Sequence, residues 1–139
     1  MSDQLSRRTT LAGAAGLTVG LPVLAACGGG GGGSSASETP RTKTGTVVGP
    51  TNDVPVGGGK IYGDLNLVVT QPESGTFKAF SATCTHQGCQ VGSVSKGTID
   101  CPCHLSKFSI DDGSVEGGPA SRPLPKVAIT VANGQITVA

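Results

Sequence analysis

Short runs of apolar and β-branched residues alternate with turn residues from Thr46 to the end of the chain. These runs have the length of strands, and none has the 3.6-residue apolar period of a helix. The alternation predicts an all-β sandwich or barrel over residues 46–139. The nine predicted strands are Gly45–Val48, Lys60–Tyr62, Leu65–Thr70, Phe77–Ala82, Val91–Val94, Thr98–Cys101, Lys107–Ile110, Lys126–Val131 and Gln135–Val138.

Glycine-rich turn sequences separate the predicted strands. The clearest is Ala132-Asn133-Gly134, because Asn-Gly readily takes the positive φ angles of a type I′ turn, which predicts a hairpin between the last two strands. The chain has only three Phe and one Tyr, so the core must consist mostly of Val, Ile, Leu and Ala. A domain this small gains from a metal centre or a disulfide.

The first 26 residues have the composition of an export signal. Arg7 and Arg8 precede a weakly apolar run over 11–26, which is rich in Ala and Gly and a poor membrane span. The arginine pair resembles the twin-arginine (Tat) type of signal. A general secretory signal with two incidental arginines is the alternative.

A cysteine, Cys27, directly follows this run in the sequence Leu24-Ala25-Ala26-Cys27, which resembles a lipoprotein signal. Cys27 would then be lipidated, and its acyl chains would anchor the protein to the extracytoplasmic face of the cell membrane. Six glycines and a serine-rich segment follow, so residues 27–45 are expected to form a flexible tether. The alternative is an ordinary cleavage site with an incidental cysteine.

The net charge of the chain gives no support to nucleic-acid binding. It is +1 for all 139 residues, and about zero without the predicted signal, whereas nucleic-acid binding requires a clustered basic surface.

The candidate chemistry is concentrated in two segments, box 1 (residues 84–89, C-T-H-Q-G-C) and box 2 (residues 101–106, C-P-C-H-L-S). They contain both histidines and four of the five cysteines. These six side chains exceed the needs of one tetrahedral zinc, but fit a two-iron site with two Cys ligands on one iron and two His ligands on the other. A zinc site with a disulfide, or two disulfides with incidental histidines, are the alternatives.

The pattern C-T-H-x-G-C followed by C-P-C-H-x-S-x-F over residues 84–108 resembles the two boxes of Rieske [2Fe–2S] proteins, in the subgroup with a disulfide. The resemblance implies an antiparallel β-sandwich or barrel with a cluster-binding subdomain of two loops. It also implies that Cys84 and Cys101 bind one iron of a [2Fe–2S] cluster and that His86 and His104 bind the other.

Further roles follow from the same resemblance. Cys89 and Cys103 would form a disulfide between the two loops, and Ser106 would donate a hydrogen bond to a cluster sulfide. Gly118-Pro119-Ala120 matches a proline-containing loop that covers the cluster.

Three positions depart from the quinol-oxidising members of that family, which usually have Leu at position 87, Gly at 105 and often Tyr at 108. The chain has Gln87, Leu105 and Phe108 there. Phe108 cannot donate a hydrogen bond, and it could serve either core packing or shielding of the cluster. Gln87 and Leu105 flank the ligand histidines, so they are either partner-docking residues or merely exposed loop residues.

The leading functional prediction is an exported, membrane-tethered one-electron carrier, whose redox partner docks near His86, His104, Gln87 and Leu105. A Rieske subunit of a quinol-oxidising or other respiratory complex is the second hypothesis. A ferredoxin that supplies an oxygenase is the third, disfavoured because that class generally lacks the additional cysteine pair. A zinc-stabilised surface lipoprotein is the non-redox alternative.

Overall fold

The computed structural model describes residues 42–139, and the predicted export signal, Cys27 and the glycine run lie outside the described residues. This part contains ten strands, two single 3₁₀ turns and no α-helix, which confirms the all-β prediction. Within it, no helix has the length and apolarity needed to cross a bilayer. The strands are β1 (Val47–Pro50), β2 (Gly58–Tyr62), β3 (Leu67–Glu73), β4 (Thr76–Ser81), β5 (Ser93–Ser95), β6 (Thr98–Asp100), β7 (Lys107–Ser109), β8 (Val115–Gly117), β9 (Ile129–Ala132) and β10 (Gln135–Val138).

The strands form three antiparallel sheets, with the orders β1-β10-β9, β2-β3-β4 and β5-β6-β7-β8. The hairpin between β9 and β10 turns at Asn133 and Gly134, with φ angles of 52° and 73°. Two successive positive φ angles are the signature of a type I′ turn, so the predicted hairpin is confirmed.

Strand β3 is buried on both faces and lies between two apolar cores. Leu67 and Val69 pack into the core that also contains residues of β1 and β10. Val68 points the other way, into the core that contains Phe80, Cys84 and Cys101. This alternation follows from the two-residue side-chain period of a strand. The central sheet therefore links the terminal strands to the loops that carry the cysteines.

Some strand boundaries differ from the prediction. Strand β8 was not predicted, because its sequence Val-Glu-Gly has one apolar side chain and lies next to glycine; its pairing with β7 determines its conformation. The strand predicted from Lys126 begins only at Ile129, and Lys126 itself makes an isolated bridge to Phe80. Leu65, the predicted start of β3, belongs instead to a 3₁₀ turn over Gly63–Leu65, which is followed by Asn66 with φ 50°.

A glycine substitution tests the packing of the core beside the boxes. Gly113 has φ +77°, and a Cβ there would lie 2.8 Å from Cδ1 of Phe80; Gly75 has φ +82° with nothing within 4 Å. Alanine at either position should lower the free energy of unfolding by about 1–2 kcal/mol, because the backbone there is left-handed. Gly113→Ala should lower it by about 1–3 kcal/mol more, because the added methyl group overpacks the core. We expect a fall in melting temperature at least about twice that of the control Gly75→Ala; equal falls would contradict this packing.

Candidate metal centre

The loop of box 1 closes on itself through backbone hydrogen bonds. An isolated antiparallel bridge joins Thr83 to Gln90 at its base. The N–H of Cys84 donates to the carbonyl of Cys89 at 2.6 Å, and the N–H of Gly88 donates back to the carbonyl of Cys84 at 2.9 Å. Gly88 has φ 78°, a conformation that glycine adopts without strain. The loop keeps the Cys84 side chain buried and leaves Gln87 and Gly88 exposed.

The loop of box 2, between β6 and β7, repeats this arrangement. The N–H of Cys101 donates to the carbonyl of Ser106 at 2.8 Å, and the N–H of Leu105 donates to the carbonyl of Cys101 at 3.1 Å. Leu105, at the position equivalent to Gly88, has φ 62°. The two loops thus share one backbone design, in which the fifth residue of each box has a positive φ angle.

The predicted disulfide between Cys89 and Cys103 is present and joins the two loops. It brings the rings of His86 and His104 to a centroid distance of 4.7 Å, with their planes at 80°. Cys84 and Cys101 are the free cysteines of the described residues, and both are buried. The structure therefore brings the six predicted ligand and disulfide side chains together in three pairs: Cys84 with Cys101, His86 with His104, and Cys89 with Cys103.

The two buried thiols, Cys84 and Cys101, are close enough for one to influence the ionisation of the other. Burial raises the pKa of the Cys101 thiol, and the neighbouring Cys84 raises it further. The backbone amides of Cys103 and His104 lower the pKa of Cys101, because they donate hydrogen bonds to its sulfur. Two adjacent thiolates in an apolar setting need positive charge beside them, and a metal provides it.

The imidazole of His86 is a second sign that this site is suited to a metal. Its Nδ1 atom is buried and has no hydrogen-bond partner among residues 42–139. Buried polar atoms are nearly always partnered, so an orphaned ring nitrogen on a predicted ligand residue is suited to a metal. The His104 side chain lies at the surface. This donor set fits a cluster with two thiolate and two imidazole ligands.

A different group of three sulfurs is not a metal site. The sulfurs of Cys89, Cys101 and Cys103 lie within 4.8 Å of one another. Two of them form the disulfide and therefore cannot act as thiolates.

The segment that contains Gly118-Pro119-Ala120 packs against box 2. Gly118 has φ +83°, and a Cβ there would lie 2.5 Å from Cα of Ser106 and 2.6 Å from the carbonyl oxygen of Leu105. The Ala120 N–H donates to Oγ of Ser106 at 3.2 Å. Only glycine allows this close approach.

The same segment is also bonded to box 1. Oγ1 of Thr85 donates to the carbonyl of Arg122 at 2.6 Å. The sequence analysis did not single out this contact, because nothing in the sequence pattern pairs a box residue with a carbonyl so far along the chain. Residues 118–122, the covering segment, are therefore hydrogen-bonded to both boxes.

The structure places the remaining predicted residues in two groups. Ser106 and Phe108 are fully buried, and Phe108 packs in the same core cluster as Cys84 and Cys101. Core packing of Phe108 is thus confirmed. Gln87 and Leu105 are exposed, with Leu105 at 74%.

Comparison with known proteins agrees with this geometry. Residues 44–128 match the sequence model of the Rieske [2Fe-2S] domain. The cytochrome b6-f complex iron-sulfur subunit of Chlorobaculum tepidum is 40% identical over 94 residues, which are 66% of this chain and 51% of that subunit. This chain thus spans about half the length of that relative.

Two solved structures share the fold. The plasma membrane Rieske protein PetC3 from Synechocystis PCC 6803 is 33% identical, with a TM-score of 0.54 over 68% of this chain and 98% of that chain. The ferredoxin of carbazole 1,9a-dioxygenase from Nocardioides aromaticivorans IC177 has a TM-score of 0.58 over 70% of this chain and 98% of that chain. Its 21% identity shows a common fold alone.

The family match favours an iron–sulfur cofactor over the zinc alternative, because the matched domain is one that carries a [2Fe–2S] cluster. The paired loops, the disulfide and this match together show that the chain belongs to the Rieske [2Fe-2S] domain family.

Proposed function

We propose that this chain is a one-electron carrier, in which Cys84 and Cys101 hold one iron of the cluster and His86 and His104 hold the other. One observation carries the assignment. Two loops of the same backbone design carry two neighbouring buried thiols and two neighbouring imidazoles, and one imidazole has an orphaned buried nitrogen. Cys89 and Cys103 are excluded as ligands because they form the disulfide.

When bound, a cluster with two uncharged imidazole ligands accepts and releases one electron at roughly −150 to +300 mV, above a four-thiolate cluster. The protein tunes this value through its own donors. The amides of Cys103 and His104 donate hydrogen bonds to the Cys101 sulfur, and the Ser106 hydroxyl can donate a further one. Each donor stabilises added negative charge.

Electrons would enter and leave at the exposed side of the site. His104 is exposed and His86 half-buried, and the exposed Gln87 and Leu105 flank them. We propose that the redox partner docks on these four residues.

For location, we propose export by the twin-arginine route and lipid anchoring at Cys27 on the extracytoplasmic face of the membrane. Arg7-Arg8, the position of Cys27 after an apolar run and the six glycines support it. The disulfide supports it as well, because disulfides persist in oxidising compartments.

A subunit of a respiratory complex is the second candidate, since the Chlorobaculum relative is described as a subunit of a cytochrome b6-f complex. Gln87 and Leu105 depart from the quinol-oxidising pattern and favour an independent carrier. The likeness to the dioxygenase ferredoxin extends to the fold alone.

Electron paramagnetic resonance of the purified, dithionite-reduced chain tests the cofactor. We expect a Rieske spectrum with an average g below 2, and two irons with two acid-labile sulfides per chain. A silent protein that contains zinc would contradict the proposal. His86→Cys and His104→Cys variants should abolish the spectrum or shift it to that of a four-thiolate cluster.

Ser106→Ala tests the hydrogen bond to the cluster. Oγ of Ser106 already accepts from the Ala120 N–H, and the side chain is fully buried, so its own hydrogen points to another acceptor. One hydrogen bond contributes about 0.5–1.5 kcal/mol, so the midpoint potential should fall by roughly 20–65 mV. Voltammetry of the loaded protein measures this change.

Ser109→Ala is the matched control. Ser109 is also buried, and its Oγ also accepts from a backbone N–H, that of Asp111, but it lies outside both boxes at the end of β7. Its midpoint should stay at the wild-type value. A fall of equal size in both variants, or no fall in Ser106→Ala, would refute a specific bond from Ser106.

A further inference from the structure

An ion pair closes the base of the box 2 loop. Asp100 is the last residue of β6 and directly precedes Cys101. Lys107 is the first residue of β7 and directly follows Ser106. Asp100 and Lys107 are partners across the two strands, and Nζ of Lys107 donates to Oδ1 of Asp100 at 2.9 Å. Both charges therefore lie at the ends of the loop that contains Cys101 and His104.

Two further donors hold the Asp100 carboxylate in place. Oγ1 of Thr98 donates to Oδ1 at 2.9 Å, and Oγ of Ser95 donates to Oδ2 at 3.3 Å. Hydrogen bonds to an ionised carboxylate are stronger than bonds between neutral groups. The Asp100 side chain is 22% exposed, whereas that of Lys107 is 52% exposed. The negative charge therefore has a fixed position, and the positive charge is the more solvated of the two.

Both charges lie close to a predicted cluster ligand. Asp100 and Lys107 line the same cavity as Cys101. An oxidised centre with two ferric ions, two sulfides and two thiolates has a charge of about zero, and one added electron makes it negative. A nearby carboxylate opposes this added negative charge, and a nearby ammonium group favours it. The two members of the pair therefore act in opposite directions on the midpoint potential.

We propose that Asp100 and Lys107 set the midpoint potential as a balanced pair of charges, in which Asp100 lowers the potential and Lys107 offsets that effect. The inference rests on the one-electron function proposed above. A role in stability alone would be small, because an exposed ion pair contributes little to folding. The pair acts through its charges, unlike Ser106, which acts through a hydrogen bond.

Two charge-removing variants of the cluster-loaded full chain test this proposal. Asp100→Asn should raise the midpoint potential, because the charge of Lys107 is then unbalanced. Lys107→Met should lower the potential, because the charge of Asp100 is then unbalanced. In the double variant the two shifts should largely cancel. Voltammetry at roughly 0.02 M salt measures all three, and each single shift should fall to about half or less at roughly 0.5 M, because salt screens partly exposed charges.

Two controls separate charge from structure. Lys107→Arg keeps the positive charge and should keep the wild-type potential. Lys60 and Asp53 form a second ion pair, at 2.6 Å. Lys60 lies opposite Val69, and directly opposite residues share a face of the sheet. Val69 packs in the core that does not contain the box cysteines. Lys60→Met and Asp53→Asn should therefore shift the midpoint far less than the box 2 variants.

Three results would overturn the balanced pair while the Rieske spectrum remains intact. These are shifts of Asp100→Asn and Lys107→Met in the same direction, an Asp100→Asn midpoint equal to that of the wild type, or shifts of equal size in the Lys60 and Asp53 variants. If Lys107→Met does not hold its cluster, the Asp100→Asn midpoint alone decides. Loss of the Rieske spectrum in the wild type would instead refute the one-electron function itself.

Discussion

The Cys89–Cys103 disulfide is the constraint on which the site depends. Each box loop closes through its own backbone hydrogen bonds, but those bonds lie within one loop and do not fix its distance from the other. The disulfide joins residues 14 positions apart, and closing a loop of this length stabilises the folded state by about 3 kcal/mol in the chain-entropy model. It places the two thiols, and also the two imidazoles, beside each other.

The covering segment completes the site from a third direction. It approaches the backbone of Leu105 and Ser106 so closely that position 118 requires glycine. It is also hydrogen-bonded to the side chains of Thr85 and Ser106. Beneath the loops, Phe108 and Val68 close the apolar core against the cysteines. Burial favours the neutral thiol of Cys101, and a bound metal centre would reverse that preference. This conflict, together with the orphaned nitrogen of His86, is the physical reason to expect a metal here.

Much of this arrangement could be predicted from the sequence. The two-residue alternation located most strands, and the box spacing pointed to the residues that the fold brings together. Features set by tertiary contacts could not be predicted in this way. Strand β8 has too little apolar character to stand out, and it exists through pairing with β7. The left-handed backbone of Leu105 was also missed, because leucine itself gives no signal for positive φ; it follows from the shared design of the two loops.

The central claim is that two histidines bind one iron, and nitrogen hyperfine spectroscopy tests it most directly. The whole chain has two histidines, so ¹⁵N-labelling of histidine alone marks both candidate ligands and no other imidazole. Pulsed electron paramagnetic resonance of the reduced, labelled protein should show two strong ¹⁵N couplings, one from each ring. A spectrum with one strong coupling or none would contradict the ligand set of Cys84, His86, Cys101 and His104.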